Sequence, residues 1–271
     1  MNEKKLRGYT VPCDYQGSDA ERIQQALDES SALHIGRVVL NGNYLIDKTL
    51  VIREDTELVF DHATVEMTAE APLLTNYAQA HRDELNSYSF QDAYVRLTGI
   101  DSTLKGDILL CNAWHLYLSD LTLTGKLHLE YVWEARLERI TADSVIFGRS
   151  CNNIIAQGIT ALTDDTGIII DPTVISGCEL IAKEPFSHEL ILQDSTMPNA
   201  AVGILISCDD DCTLYNVQID HISAKGTTVV IGKEGDTFAP GSCYDLTAVQ
   251  LQSASDETLR IVREPKNSYF A

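Results

Sequence analysis

Ser119-Asp120-Leu121-Thr122-Leu123, Glu138-Arg139-Ile140-Thr141-Ala142 and Gln157-Gly158-Ile159-Thr160-Ala161 are versions of one segment, set 19 residues apart. Ser176-Gly177-Cys178-Glu179-Leu180 extends the series by another 19, and Ser195 follows 17 after Cys178. A period near 20, short β-branched runs and no helical periodicity describe a solenoid of stacked coils. In such a stack, residues one period apart become neighbours in space. Candidate sites are therefore sought by register.

A second strand series interleaves with the first: Leu127-His128-Leu129, Val145-Ile146-Phe147, Ile168-Ile169-Ile170, Ile204-Leu205-Ile206 and Val229-Val230-Ile231. Two strand series per period fit a parallel β-helix, with strands about 4.8 Å apart along the axis. Working outward, Gly36-Arg37-Val38-Val39-Leu40 and four further short strands precede it, separated by turn residues such as Asn41-Gly42-Asn43. Residues 18–33 are expected to form a helix. Ser18 and Glu21 make a capping box, and Ile23, Ala26 and Leu27 form the apolar stripe. That helix would cover the first coil, whose apolar end is otherwise open. The polar stretch 76–93 interrupts the pattern and reads as an excursion flanking a groove. Coils span 36–262, and with no linker-like shift in composition residues 1–271 are one domain.

The 271 residues carry a net charge of −20, which disfavours nucleic acid and anionic membranes as partners. Apolar runs long enough to span a bilayer are lacking. Seven cysteines and a start without an apolar leader fit a cytoplasmic protein; a secreted domain whose leader was removed would look the same. Nucleotide-binding glycine motifs and a serine-hydrolase elbow are absent, so no cofactor is expected. Asp209-Asp210-Asp211, between Cys208 and Cys212, is either a calcium site or a solvated acidic turn. The second is the commoner outcome, and no metal is assigned.

The opening, Asp19-Ala20-Glu21-Arg22-Ile23-Gln24-Gln25-Ala26-Leu27 with Arg37-Val38-Val39-Leu40-Asn41-Gly42-Asn43-Tyr44, resembles that of pectin-lyase-like proteins. These are right-handed parallel β-helices, all-β, with an N-terminal capping helix. Asn41 stands where proline is usual. Further on, Thr141-Ala142-Asp143, Asp164-Asp165 and Ser187-His188-Glu189 resemble, in order, the N-T-D, D-D and H-G motifs of glycoside hydrolase family 28, the polygalacturonases. The Asn of the first motif, the Gly of the third and the R-I-K motif are missing. Lys225 is the nearest substitute for the last.

The resemblance implies an inverting glycosidase acting on an oligosaccharide or polysaccharide. Asp164 would donate the proton, Asp143 and Asp165 would activate water, and His188 would tune the donor. Such a site needs acid and base about 6.5–9.5 Å apart, with one carboxyl kept protonated by its neighbours. Adjacent residues of a regular strand face opposite ways, so Asp164 and Asp165 can share a cleft only at a turn. The alternative is that these residues merely shape coil turns, where aspartate is common. Lys225, Arg149 and Trp133 are the candidate substrate-binding residues. Trp114, Trp133, Tyr117 and Tyr131 would stack on a sugar or pack in the core. Two further functions stay open: a non-catalytic carbohydrate-binding or structural β-helix, and a polysaccharide lyase or fructan transferase on the same fold. A solenoid's exposed edges also allow homo-oligomers.

Overall fold

In the computed structural model, residues 3–81, 92–174, 186–208, 212–233 and 242–271 are described. The repeating segments stack as a parallel β-helix of three faces, every ladder among the described residues being parallel. One coil shows the plan. Lys126–Glu138 is a single strand bent at Glu130 and Tyr131. Its first part, Leu127–Leu129, belongs to face I, and its second, from Trp133 to Glu138, to face II. Thr141–Ala142 forms face III, and the next coil begins at Ser144.

Face I stacks Ile108, Leu127, Val145, Ile168, Ile204 and Val229 in register, all fully buried. Face II stacks Leu118, Leu137, Ala156, Leu192, Ile219 and Ala248. The alternation of apolar and polar residues thus becomes aliphatic columns running along the axis. Each buried Leu, Ile or Val contributes about 1.5–3 kcal/mol. The helix Asp19–Ala32 covers the open N-terminal end with Ile23, Ala26 and Leu27, and both halves of the Ser18–Glu21 capping box form.

The regular period has a local cause at the corner from face II to face III. One residue per coil turns there with positive φ: Asp120 (56°), Arg139 (53°), Gly158 (69°), then Asp194 (51°) and His221 (53°). The following residue points inward, which is why Leu121, Ile140 and Ile159 recur in the sequence as buried positions. The series as read from the sequence needs one correction. Gln157 pairs with Gln193, and Ile159 N–H donates to Ser195 Oγ, so the chain from 159 to 195 is one long coil and not two. Cys178 lies outside the described residues. Asp209-Asp210-Asp211 also lies outside them, as do 82–91 of the 76–93 stretch. Cys111 and Cys151 are fully buried, as small core-filling residues are.

Candidate functional site

At the start of face II two consecutive side chains, Trp133 and Glu134, are both exposed. A regular strand would alternate them. Glu134 has φ of 58°, and this single left-handed residue breaks the alternation. The same break recurs on successive coils at His115 (55°), Asn153 (55°), Glu189 (57°), Asn216 (54°) and Asp245 (56°). For histidine and glutamate this conformation costs about 1–2 kcal/mol. Its result is two adjacent rows along the axis.

The first row runs Trp114, Trp133, Asn152, His188, Tyr215, Tyr244, each in register with the next. The second holds the left-handed residues, rich in carboxylates and amides. Trp114 is 41 % exposed and Trp133 38 %, unusually open for tryptophan. Farther along, His188 stacks on Tyr215 at 4.8 Å between ring centres and Tyr215 on Tyr244 at 5.1 Å. These distances match the coil spacing, so His188, Tyr215 and Tyr244 stack face to face along the axis, whereas Trp114 stacks on His115 at 4.5 Å.

Asn152 interrupts the row with a short, buried side chain. Its Oδ1 accepts from His188 N–H at 3.1 Å and its Nδ2 donates to Ser150 O at 3.3 Å. The gap is a groove of about 270 Å³, lined by Trp114, Trp133, Glu134, Asn152, Asn153, Phe186 and His188. Glu134 pairs with His115 Nδ1 at 2.8 Å and Glu189 with His188 Nδ1 at 3.2 Å. Among the described residues, those lining the groove include neither Lys nor Arg.

The bend from face I to face II, which presents this row, is tied by buried polar groups. Asp171 accepts from Thr173 N and Oγ1 and pairs with Lys233 at 3.0 Å. Arg149 Nε donates to Pro172 O at 3.0 Å, and fully buried Glu130 lies 2.9 Å from His128 Nε2. At the first tryptophan the same bend contains Asp92, whose neighbour Ala93 pairs with Trp114. Asp92 accepts from Asn76 Nδ2 at 2.6 Å and Ala78 N at 2.7 Å, and its Oδ1 is buried with no hydrogen-bond partner among the described residues. Burial raises its pKa to about 6.

The residues expected to form a hydrolytic site divide between two places. Asp143, Asp164 and Asp165 lie together at the corner from face III to face I, on consecutive coils. Thr163 N–H donates to Asp143 O, and Asp164 O and Asp165 O accept from Ala201 and Val202 on the next coil. All three side chains are exposed. Lys225 occupies the same edge two coils beyond Asp164. His188 does not join them. It sits past the far end of face I, and the intervening strand, Thr166–Ile170, is about 16 Å long. The chain from Asp165 to His188 therefore traverses face I and the bend and does not amount to one coil. Trp133 belongs with His188, and Arg149 is a half-buried strut of the bend. Tyr131 is 2 % exposed, a core residue, and Tyr117 donates to Glu138 Oε2.

No protein-family model and no curated protein sequence matches the chain. Its fold is nonetheless shared with solved structures. The tailspike of E. coli bacteriophage HK620 superimposes with a TM-score of 0.68 over 91 % of this chain and 51 % of its own length, at 9 % identity. A Yersinia enterocolitica family 28 exopolygalacturonase gives 0.59 over 96 % and 77 %, at 10 % identity. The Streptococcus pneumoniae surface adhesin PfbA gives 0.56 over 97 % of both chains, also at 10 %. All are right-handed parallel β-helices. So is this chain. The first-coil resemblance seen in the sequence agrees with this fold, while the chain spans only about half of the tailspike.

Proposed function

We propose that the protein binds a carbohydrate on the row from Trp114 to Tyr244, with the groove over Asn152 as its deepest point. The observation that carries this reading is the pair of exposed tryptophans one coil apart, continued by stacked His188, Tyr215 and Tyr244. A sugar ring offers an apolar C–H face to an indole and hydroxyls to the groups beside it. The two rows supply both: rings in one, and Glu134, Asn153, Glu189 and Asn216 in the other. At about 4.8 Å per coil the five steps from Trp114 to Tyr244 span roughly 24 Å, room for a chain of sugars rather than a monosaccharide. The fold is one on which the HK620 tailspike is seen with a pentasaccharide, which supports the reading by analogy.

A second reading, glycoside hydrolysis, is favoured by the convergence of Asp143, Asp164 and Asp165 on one corner, with Lys225 on the same edge. In that reading Asp164 donates the proton and Asp143 or Asp165 activates water, without His188.

One experiment separates the two. Calorimetric titration with a panel of neutral, acidic and basic oligosaccharides is expected to give binding that falls about tenfold in Trp133→Ala and is unchanged in Asp164→Asn. Product analysis of the same mixtures reads hydrolysis. Turnover abolished by Asp164→Asn would promote the second reading. Binding indifferent to Trp133→Ala, in a protein with unchanged circular dichroism, would remove the first.

A further inference from the structure

The gap in the aromatic row also bears on which sugars fit it, an inference that rests on the carbohydrate-binding reading. Trp133 and His188 are both in register with Asn152, one on either side, so they stand two coil steps apart, about 9.6 Å. From His188 to Tyr244, ring centres are separated by 4.8 and 5.1 Å. The space above Asn152 therefore has the dimensions of one absent ring, with Trp133 on one wall and His188 and Phe186 on the other. A volume of about 270 Å³ lies at the lower edge of small-molecule sites, room for a single ring and not an extended ligand.

Charge then discriminates among rings. Glu134 lies on the rim, with Glu189 on the far side of Asn153 in the same left-handed row and Asp245 two coils farther on. Among the described residues, the basic groups paired with these acids are the histidines His115 and His188. Arg149, the arginine of the bend, is turned to Pro172 O and Cys212 Sγ. A carboxylated sugar would enter beside these carboxylates, on a chain whose net charge is −20.

We propose that the slot over Asn152 takes one pyranose ring bearing a free amine, a hexosamine unit of an oligosaccharide, sandwiched between Trp133 and His188 with its ammonium toward Glu134 and Glu189. Uronate rings are excluded from it. The Asn152 amide accepts from the His188 backbone N–H, and His115 and His188 lie beside the two carboxylates.

The test compares three tetrasaccharides by titration calorimetry: deacetylated chitotetraose, its fully N-acetylated form and tetragalacturonate. The deacetylated form should bind tightest and weaken as salt is raised. Glu134→Gln and Glu189→Gln should each lower its affinity about two- to fivefold, the range of an exposed ion pair, and lower that of the N-acetylated form by less, so that the preference for the amine narrows. Galacturonate binding equal to that of the amine, or an amine preference untouched by both substitutions, overturns the charge selection while leaving sugar binding standing. Absence of binding by any of the three, with a folded protein, overturns both. Thermal melts of the glutamine variants exclude misfolding as the cause of a lost preference.

Discussion

The two ends of face I are built on the same coil spacing and differ in what the chain does there. At the end entered from face III, the turns are short and exposed, and Asp143, Asp164, Asp165 and Lys225 project into solvent. At the other end the chain bends over buried polar struts, and a left-handed residue then sets a ring and a carboxylate side by side. Carboxylates are plentiful at the first end, but the shelter that would differentiate them is not. At the second end the enclosing walls, the rings and the hydrogen-bonding groups occur together.

The largest expected effect breaks both ends together. Phe147 is 1 % exposed, the last residue of a face I strand before the bend, and pairs with Leu129 and Ile170. Phe147→Ala should cost about 3–5 kcal/mol. Denaturant unfolding should show the loss as a lower midpoint. A loss below about 1 kcal/mol would mean that the column relaxes around the deletion and that the bend does not depend on it.

Next in size is a contrast between acids. Asp92, at the aromatic end, is buried with a pKa near 6, whereas Asp164, at the other, is exposed. Because the folded pKa of Asp92 lies above the unfolded value of about 3.9, the native state holds the extra proton between those pH values. This group's contribution is thus most favourable below about pH 4 and declines as pH rises through 6. Arg53 opposes the penalty and Glu54 adds to it. Relative to Asp92→Asn, the wild type should lose roughly 2–3 kcal/mol between pH 4 and 7. Asp164→Asn should shift stability by less than about 0.5 kcal/mol at either pH. Parallel pH profiles for wild type and Asp92→Asn would show that water reaches Asp92 and that this end is no more sheltered than the other.

The fold was legible because its cause is local and repeats. One left-handed corner residue followed by an inward aliphatic one leaves its mark once per coil, at Leu121, Ile140 and Ile159, and the Ser18–Glu21 capping box announces the helix. The mark misled at Cys178, which fell on the period, yet Gln157 pairs past it to Gln193. The site was legible in part. Trp114 and Trp133 are one period apart, which sets them side by side, but sequence could not say that they face solvent. His188 joins the candidate groove through its register with Asn152, away from the aspartates. Glu134 and Glu189 were hidden because two consecutive outward side chains contradict strand alternation. Only the left-handed φ reveals them. Asn152, Phe186, Tyr215 and Tyr244 follow from register, and register is lost to counting once the coils beyond Gln157 become longer and unequal.

The smallest expected change in stability is also the sharpest test of the aromatic end. Asn152→Tyr would put a ring in the register position between Trp133 and His188, continuing the stack already made by His188, Tyr215 and Tyr244. The substitution removes the acceptor for His188 N–H, a loss of about 1 kcal/mol, and gains ring stacking of about 0.5–1.5 kcal/mol. The melting temperature should therefore stay within a few degrees of wild type. Sugar binding should disappear, because the protein's own ring occupies the slot. Indole fluorescence should report the added contact with Trp133 in the free protein. If the variant is stable and still binds as the wild type does, the ligand lies along the outside of the row and not within its gap. The two ends of face I would then differ in residue type but not in enclosure.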